Sequence, residues 1–414
     1  MIFYWLFSTT VRDAVAMRKH VYRMFCAQRD LMTPTAIQLV SGALLDLQKG
    51  LEDHVDKAML KKYMVTLEVT AGKWLRPYPH AGIRENVEVL LVALAVALAI
   101  RTFFLQPFKI PTGSMQPTLY GVTSKNLLDD SDFKIPTGWA RVKEWFEGIS
   151  YVHVVAQADG PVDSFSPMRR LLIFNIKQTL TIGGVEHAIW FPPDYGESQI
   201  PGMDPFVYRA RLFEHPDHVY HKGEDVVKLQ VKAGDHLFVD RLTYNFRKPD
   251  RGDIIVFETA GIPEKMRHNP PYWDIPDDEF YIKRLVALPG EKVSIGNDRH
   301  LRINGMRLDA STPHFENVYG FDPDKPPHDS QYSGHLNGTV AQEYNFGNLP
   351  QFPNEETIYD VPANACMPMG DNTCSSLDSR FWGAIPEKYV IGKSFFVYWP
   401  ITERFGIGHW STAQ

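Results

Sequence analysis

The run VEVLLVALAVALAIRTFFL, residues 87–105, constrains this chain more than any other stretch. At about 1.5 Å per residue it reaches about 28 Å as a helix, enough for a tilted crossing of a bilayer core. Glu88 and Arg101 lie near its two ends, where long polar side chains reach headgroups. The alternative is a buried core helix, although apolar runs of this length are uncommon in soluble chains. Residues 1–86 precede the run, which argues against a cleavable signal peptide. The opening MIFYWLF is apolar but too short to span, and is expected to pack or to rest on a membrane surface.

Residues 1–86 read as a helical segment. Thr33 and Pro34 have the character of an N-cap and a first helical residue, and Ile37, Val40, Leu44, Leu47, Leu51 and Val55 then recur at helical spacing. This amphipathic helix is expected either to bind a partner or to be a solvated appendage. Lys57, Lys61, Lys62, Lys73, Arg76 and Arg84 lead toward the apolar run and place this end in the cytoplasm, an asymmetry weakened by Lys109 and Lys125 beyond it.

After the run the character changes to β-branched and aromatic stretches broken by Gly, Pro and Asn. SYVHVVAQ, LLIFNIKQTLTI, VEHAIWF, VVKLQV, HLFVDRL, DIIVFET, YIKRLVAL, KVSI, LRINGMRL and SFFVYWP all read as strands, with Asn304-Gly305 supplying the positive φ angles of a tight hairpin. No strand-helix alternation supports a parallel sheet, so the expected fold is mainly antiparallel β. Residues 315–353, rich in Pro, Gly, Asn and Asp, read as long surface loops. The net charge of -6 and the lack of a long basic run exclude a general nucleic-acid binder. Three cysteines, Cys26, Cys366 and Cys374, match neither a disulfide framework, a zinc site nor a redox pair, though Cys366 and Cys374 remain a candidate bridge.

The hexapeptide FKIPTG occurs at 108–113 and again at 133–138, and only the first copy is followed by a serine, Ser114. A serine hydroxyl is a poor nucleophile until a base takes its proton. No histidine lies in a segment that looks like a site, whereas Lys283 sits in the apolar strand YIKRLVAL. A lysine on a strand is ordinarily exposed or snorkelling. To act as a base it must be neutral, so burial must disfavour its charged form by about 3 to 4 kcal/mol. Tyr281, Ile282, Leu285 and Val286 provide the apolar surroundings, and alternation lets Lys283 face inward.

IPTGSMQPTL at 110–119, GDHLFVDRLTYNFRKPDRGDIIVF at 234–257, YIKRLVALPGEKV at 281–293 and GDNTCSSLDSRFWGAIP at 370–386 follow one another behind the apolar run. Together they resemble bacterial type I signal peptidases, membrane-bound serine proteases that remove signal peptides from exported proteins. The resemblance covers residues 87–121 and most of 232–399. It implies that Ser114 is the nucleophile and Lys283 the general base. Thr112 corresponds to an oxyanion-hole hydroxyl, and Ser376 to a serine that hydrogen-bonds the lysine amine. Asp378 and Arg380 correspond to a supporting ion pair, with Asp371 and Asn372 in the same box. Ile110, Pro111, Tyr281 and Ile282 would line apolar pockets for small substrate residues, with the substrate added as an extended strand. No cofactor or metal is implied. The implied partners are signal-peptide-bearing preproteins, the lipid bilayer and a secretion translocase. The implied location is the bacterial cytoplasmic membrane, with a single crossing and an extracytoplasmic catalytic domain.

The expected organisation is a cytoplasmic helical segment (1–86), the crossing (87–105), a catalytic β domain (106–121 with 232–400), an inserted β-rich subdomain (122–231) and a tail (401–414). The insertion is a departure from the family, and its expected role is substrate access, an envelope partner, or stabilisation alone. The second FKIPTG copy, with Trp139 in place of the serine, is expected to be a chance likeness or a β-edge, or else to mimic or guard the substrate groove. His215, His218 and His221 hint at zinc, but Pro216 breaks helical spacing. The RGD at 251–253 reads as a turn before a strand, and Cys374 lacks a flanking histidine that would activate a thiol. Two rival readings are a non-catalytic envelope scaffold and a self-cleaving Ser-Lys repressor; the apolar run and the acidic balance speak against the second.

Overall fold

The structure, a computed structural model, describes residues 8–76, 81–130, 132–172, 174–198, 200, 202–269, 273–320, 334–343 and 347–407. Residues 1–7, expected to pack or to rest on a surface, lie outside these, as do 408–414 of the expected tail. The chain divides into two compact units, Met1–Val96 and Ala97–Gln414.

In the first unit Thr33 caps the helix Pro34–Glu52 by accepting the Ala36 N–H at 3.3 Å, which satisfies one of the orphan donors of the first turn. Val40, Leu44 and Leu47 are buried against Val11 and Val21 of Thr9–Gln28 and Leu60 and Leu67 of Lys57–Trp74. The described part of the segment is therefore helical, as expected, and its helices share a core of their own. Val55 falls past the helix end, because His54 at φ 54° turns the chain first. The apolar run lies in the helix Ala81–Phe103, whose Leu90, Leu94 and Leu98 are 50–58% exposed. The helix is long and apolar enough to cross a membrane. Leu105 leaves the helix and opens the strand Leu105–Lys109 instead.

The second unit is built on an eight-stranded, wholly antiparallel sheet, in agreement with the expected fold class. Its order is Leu105–Lys109, His236–Asp240, Val390–Trp399, Ile254–Glu258, Phe280–Ala287, Ala365–Met369 and Ile385–Pro386, with Gly406–Ile407 on Val390–Trp399. Alternation sends Ile254 and Val256 to one core with Met115, Leu119 and Val239, and Ile255 and Phe257 to another with Leu285, Trp382 and Ile385. Both faces of the sheet are thus covered, which is why its strands read as near-continuous apolar runs.

The hairpin Leu301–Ile303 to Met306–Arg307 turns at Asn304 (φ 52°) and Gly305 (φ 84°) as expected. With Lys292–Ile295 and Tyr359–Asp360 it forms a second sheet, and here the surface-loop expectation for 315–353 is overturned. Phe315, Val318, Leu349 and Phe352 are fully buried and the helix Gly338–Glu343 adds Val340; 321–333 and 344–346 lie outside the described residues.

Residues 122–231 hold two small antiparallel sheets around a core of Val152, Leu180, Ile182, Phe206, Val226 and Leu229. The run LLIFNIKQTLTI, expected as one strand, divides at Leu172 (φ 54°) into Arg169–Leu171 and Phe174–Ile182. The second FKIPTG copy is not a β-edge; it is irregular and leads into the short helix Trp139–Phe146.

Candidate active site

The segment 110–119 is pinned at both ends. Ile110 donates its N–H to the Asp235 carbonyl at 2.9 Å, and Met115 and Leu119 are fully buried. Between these anchors Ser114 rides on a tight turn that the Gln116 N–H closes on the Gly113 carbonyl at 3.1 Å. Asn372 braces it from outside: its N–H reaches the Ser114 carbonyl at 3.1 Å and its Nδ2 the Gly113 carbonyl at 3.1 Å. Thr118 donates to Asp371 at 2.5 Å, so two neighbouring residues of the 370–386 box clamp the serine turn.

Lys283 lies on Phe280–Ala287 opposite Ile255 and is 5% exposed. Its Nζ is 2.8 Å from Ser114 Oγ, itself 4% exposed. Burial pushes the Lys283 pKa down to about 8; Asp378 and Asp371 pull it back up, and Arg380 reinforces the fall. The Tyr281 ring lies 5.4 Å from Nζ on the same strand face. A lysine so placed holds a usable neutral fraction near neutral pH, which is the requirement for proton abstraction.

The other residues named from the sequence fall into three groups. Asp378 and Arg380 form a fully buried, bidentate pair at 2.9 Å, and Arg380 also donates to the carbonyls of Thr373 and Ser376. Burial pushes the Asp378 carboxyl up, but Arg380 and the Gly370 N–H overcome it and hold the group below the usual carboxylate range. Thr112 is exposed beside Ser114, Pro111, Tyr281 and Ile282 are half-buried, and Ile110, at 2% exposed, belongs to the core rather than to a surface pocket. Ser376 departs from expectation: its buried hydroxyl lies near the Asp378 carboxylate, which it helps to keep ionised, and is not joined to the lysine amine.

Gly370 explains how closely these pieces sit. A Cβ there would lie 2.1 Å from Ser376 Oγ and 2.5 Å from the Ser114 carbonyl oxygen. Gly370→Ala is therefore expected to displace the serine turn and to lower kcat/KM by about 100-fold, checked by steady-state kinetics.

Sequence reasoning missed Arg284 and Thr118. Arg284, 4% exposed, grips Asp371 with two hydrogen bonds of 2.7 and 2.6 Å and also reaches Thr118 and the Gly252 carbonyl. The signal was present, since Lys283 and Arg284 are adjacent on one strand and alternation must send one of them away from the serine. The secondary motifs resolve as follows. Arg251 of the RGD bonds the Val286 carbonyl and Glu291 before the strand Ile254–Glu258. His218 contacts Glu224, and no disulfide joins Cys366 to Cys374. Burial pushes the Cys374 thiol up, away from a reactive thiolate.

Comparison with known proteins bears on this arrangement. The sequence profile of the family described as signal peptidase, peptidase S26 matches residues 83–125 and 215–399, just over half of the chain. A signal peptidase I of Leptolyngbya laminosa is 31% identical over 178 residues, 43% of this chain and 66% of its own length. A probable signal peptidase I-2 of Synechocystis sp. is 26% identical over 172 residues, 41% of this chain and 58% of its own length. The chain thus spans 58–66% of the length of these relatives. The crystal structure of a signal peptidase I from Enterococcus faecalis V583 is 22% identical and covers 36% of this chain and 97% of its own, with a TM-score of 0.20.

Proposed function

The chain belongs to the signal peptidase, peptidase S26 family, and on that premise we propose that it is a membrane-bound serine endopeptidase that cleaves N-terminal signal peptides from exported preproteins. The observation that carries the reading is the 2.8 Å contact of Ser114 Oγ with a lysine amine excluded from water. Neutral Lys283 accepts the Ser114 proton as the oxygen attacks the scissile carbonyl. The oxyanion receives the Ser114 N–H and the Thr112 hydroxyl, donors that contribute about 3 to 4 kcal/mol each. Lys283 then returns the proton to the departing amine, and in the second half it activates water to release the ester.

The substrate has a strand edge to join. Ala365–Met369 pairs with Phe280–Ala287 only from Arg284 onward, so among the described residues Phe280 to Lys283 carry no strand on that side. An extended peptide added there would lay alternate side chains against Pro111, Tyr281 and Ile282. Asp378, Arg380, Asp371 and Asn372 hold the serine and lysine segments in place. The helix Ala81–Phe103 is the single crossing of a bacterial cytoplasmic membrane, with the basic residues before it on the cytoplasmic side, the catalytic sheet outside, and preproteins delivered by a translocase. Residues 106–121 with 232–400 form the catalytic domain, 122–231 the insertion and 401–414 the tail.

The test is cleavage of a preprotein by the purified protein in detergent, comparing wild type with Ser114→Ala and Lys283→Ala. Cleavage by the wild type alone supports the proposal; cleavage by none, or undiminished cleavage by either variant, sinks it. The pH profile gives a second check. Because the base must be unprotonated, kcat/KM is expected to rise about tenfold per pH unit below the Lys283 pKa and to level off above about 8.

A further inference from the structure

We propose that the outer end of the inserted sheet, carrying Leu171, Leu172, Phe174, Trp190 and Phe191, is a second membrane contact that docks onto an anionic lipid surface. These five side chains are 62–89% exposed, and Leu172, at 89%, is the extreme. Single exposed apolar residues need no explanation, but five at one end of one sheet do. The face of Phe174–Ile182 that forms the subdomain core through Leu180 and Ile182 continues outward through Ile176 to Phe174, where protein cover ends. Leu171 pairs with Phe174, and Phe191 donates to the Ile176 carbonyl at 3.0 Å, which gathers the patch at that end.

Two of the five are also held in strained backbone. Leu172 (φ 54°) and Phe191 (φ 48°) occupy the left-handed region, a backbone conformation that strains a bulky residue. Glycine or asparagine would relieve this and remove the exposed apolar group at once, so the turn residues work against both stability and solubility unless something covers them.

The charge beside the patch says what covers it. Arg169, Lys177 and Trp190 are in register across three strands, with Lys177 Nζ 5.5 Å from the Trp190 ring, and Arg170 follows. Among the described residues neither Arg169 nor Lys177 is in a salt bridge, and Arg170 makes none either, though its charge helps to hold the Asp194 carboxyl low. Apolar side chains rimmed by arginine, lysine and tryptophan are the pattern of an interfacial segment over anionic headgroups. The patch is also close to the bilayer exit. Phe191 is three residues from Asp194, Asp194 is ion-paired with Lys109, and Lys109 is six residues beyond the end of the apolar helix at Phe103. Even fully extended, those two stretches reach about 10 Å and about 20 Å. Residues 126–214 lie outside the family match, so this contact belongs to the insertion.

The proposal rests on reading Ala81–Phe103 as a bilayer span, and the experiment separates the two. Full-length protein with Cys26→Ser is spin-labelled at Leu172→Cys, at Leu94→Cys in the helix, or at exposed Lys222→Cys, and reconstituted into vesicles of phosphatidylethanolamine and phosphatidylglycerol. Collision with oxygen and with a water-soluble nickel chelate is then measured. The expected result is loss of nickel access and gain of oxygen access at 172 relative to 222, reversed by Arg169→Gln with Arg170→Gln. Nickel access at 172 equal to that at 222, with 94 shielded, overturns the contact while sparing the span. Nickel access at 94 overturns both. Shielding of 172 from both reagents indicates a protein partner or a second copy, and overturns the lipid.

Discussion

Lys283→Met abolishes cleavage and makes the protein more stable. The loss of activity is expected to be about 10⁴-fold or greater, since removing one member of a nucleophile-base pair disables the whole unit. The gain in stability follows from burial. Holding the lysine pKa at about 8 instead of 10.5 costs the folded state about 3 kcal/mol below pH 8. Methionine fills similar space without charge, and the Ser114 hydroxyl left without its partner returns about 1 kcal/mol of that. A net gain of about 2 kcal/mol should appear in urea unfolding at pH 7. The sign also has a pH signature. Between about 8 and 10.5 the unfolded chain binds the extra proton, so wild-type stability rises with pH across that window through this group. In Lys283→Met that rise disappears, and persistence of the full slope would refute the account.

Asp378→Ala should do the opposite, unfolding the site without touching the reacting atoms. Asp378 and Arg380 are both fully buried, and the carboxylate also satisfies the Gly370 N–H. Removing it leaves an uncompensated guanidinium in the core, a loss of about 3 to 5 kcal/mol out of a total of about 5 to 15. The double variant Asp378→Leu with Arg380→Met should recover most of that loss, because two packed apolar side chains need no counter-charge. Urea midpoints for the single and double variants measure the difference; equal destabilisation of the two would show that the ion pair itself, not its orphaned half, holds the loop.

The residues proposed to act were more legible than the residues proposed to support them. Ser114 and Lys283 stood out because each is chemically out of place, a hydroxyl after a glycine and a cation within an apolar strand. Strand pattern and the Asn304-Gly305 turn were equally plain, since period two and positive φ leave local marks. Phe315 and Phe352 were hidden because Pro, Gly and Asn around them signal loop, and burial there comes from the facing sheet, not from the neighbours in sequence. Arg284 was hidden for a related reason: its partner Asp371 is remote along the chain, and alternation says which way a side chain points but not what it meets. Ser376 shows the limit of carrying a role over by position, since its oxygen lies beside Gly370 without bonding the amine.

The grip of Asn372 on the turn that bears Ser114 also has a temporal meaning. Serine and clamp are separated by most of the chain, so a polypeptide still emerging from the ribosome owns its proposed nucleophile long before it owns the means to aim it. On the proposed function an unfinished copy would be inert, and hydrolytic competence would switch on only once synthesis has passed the final box.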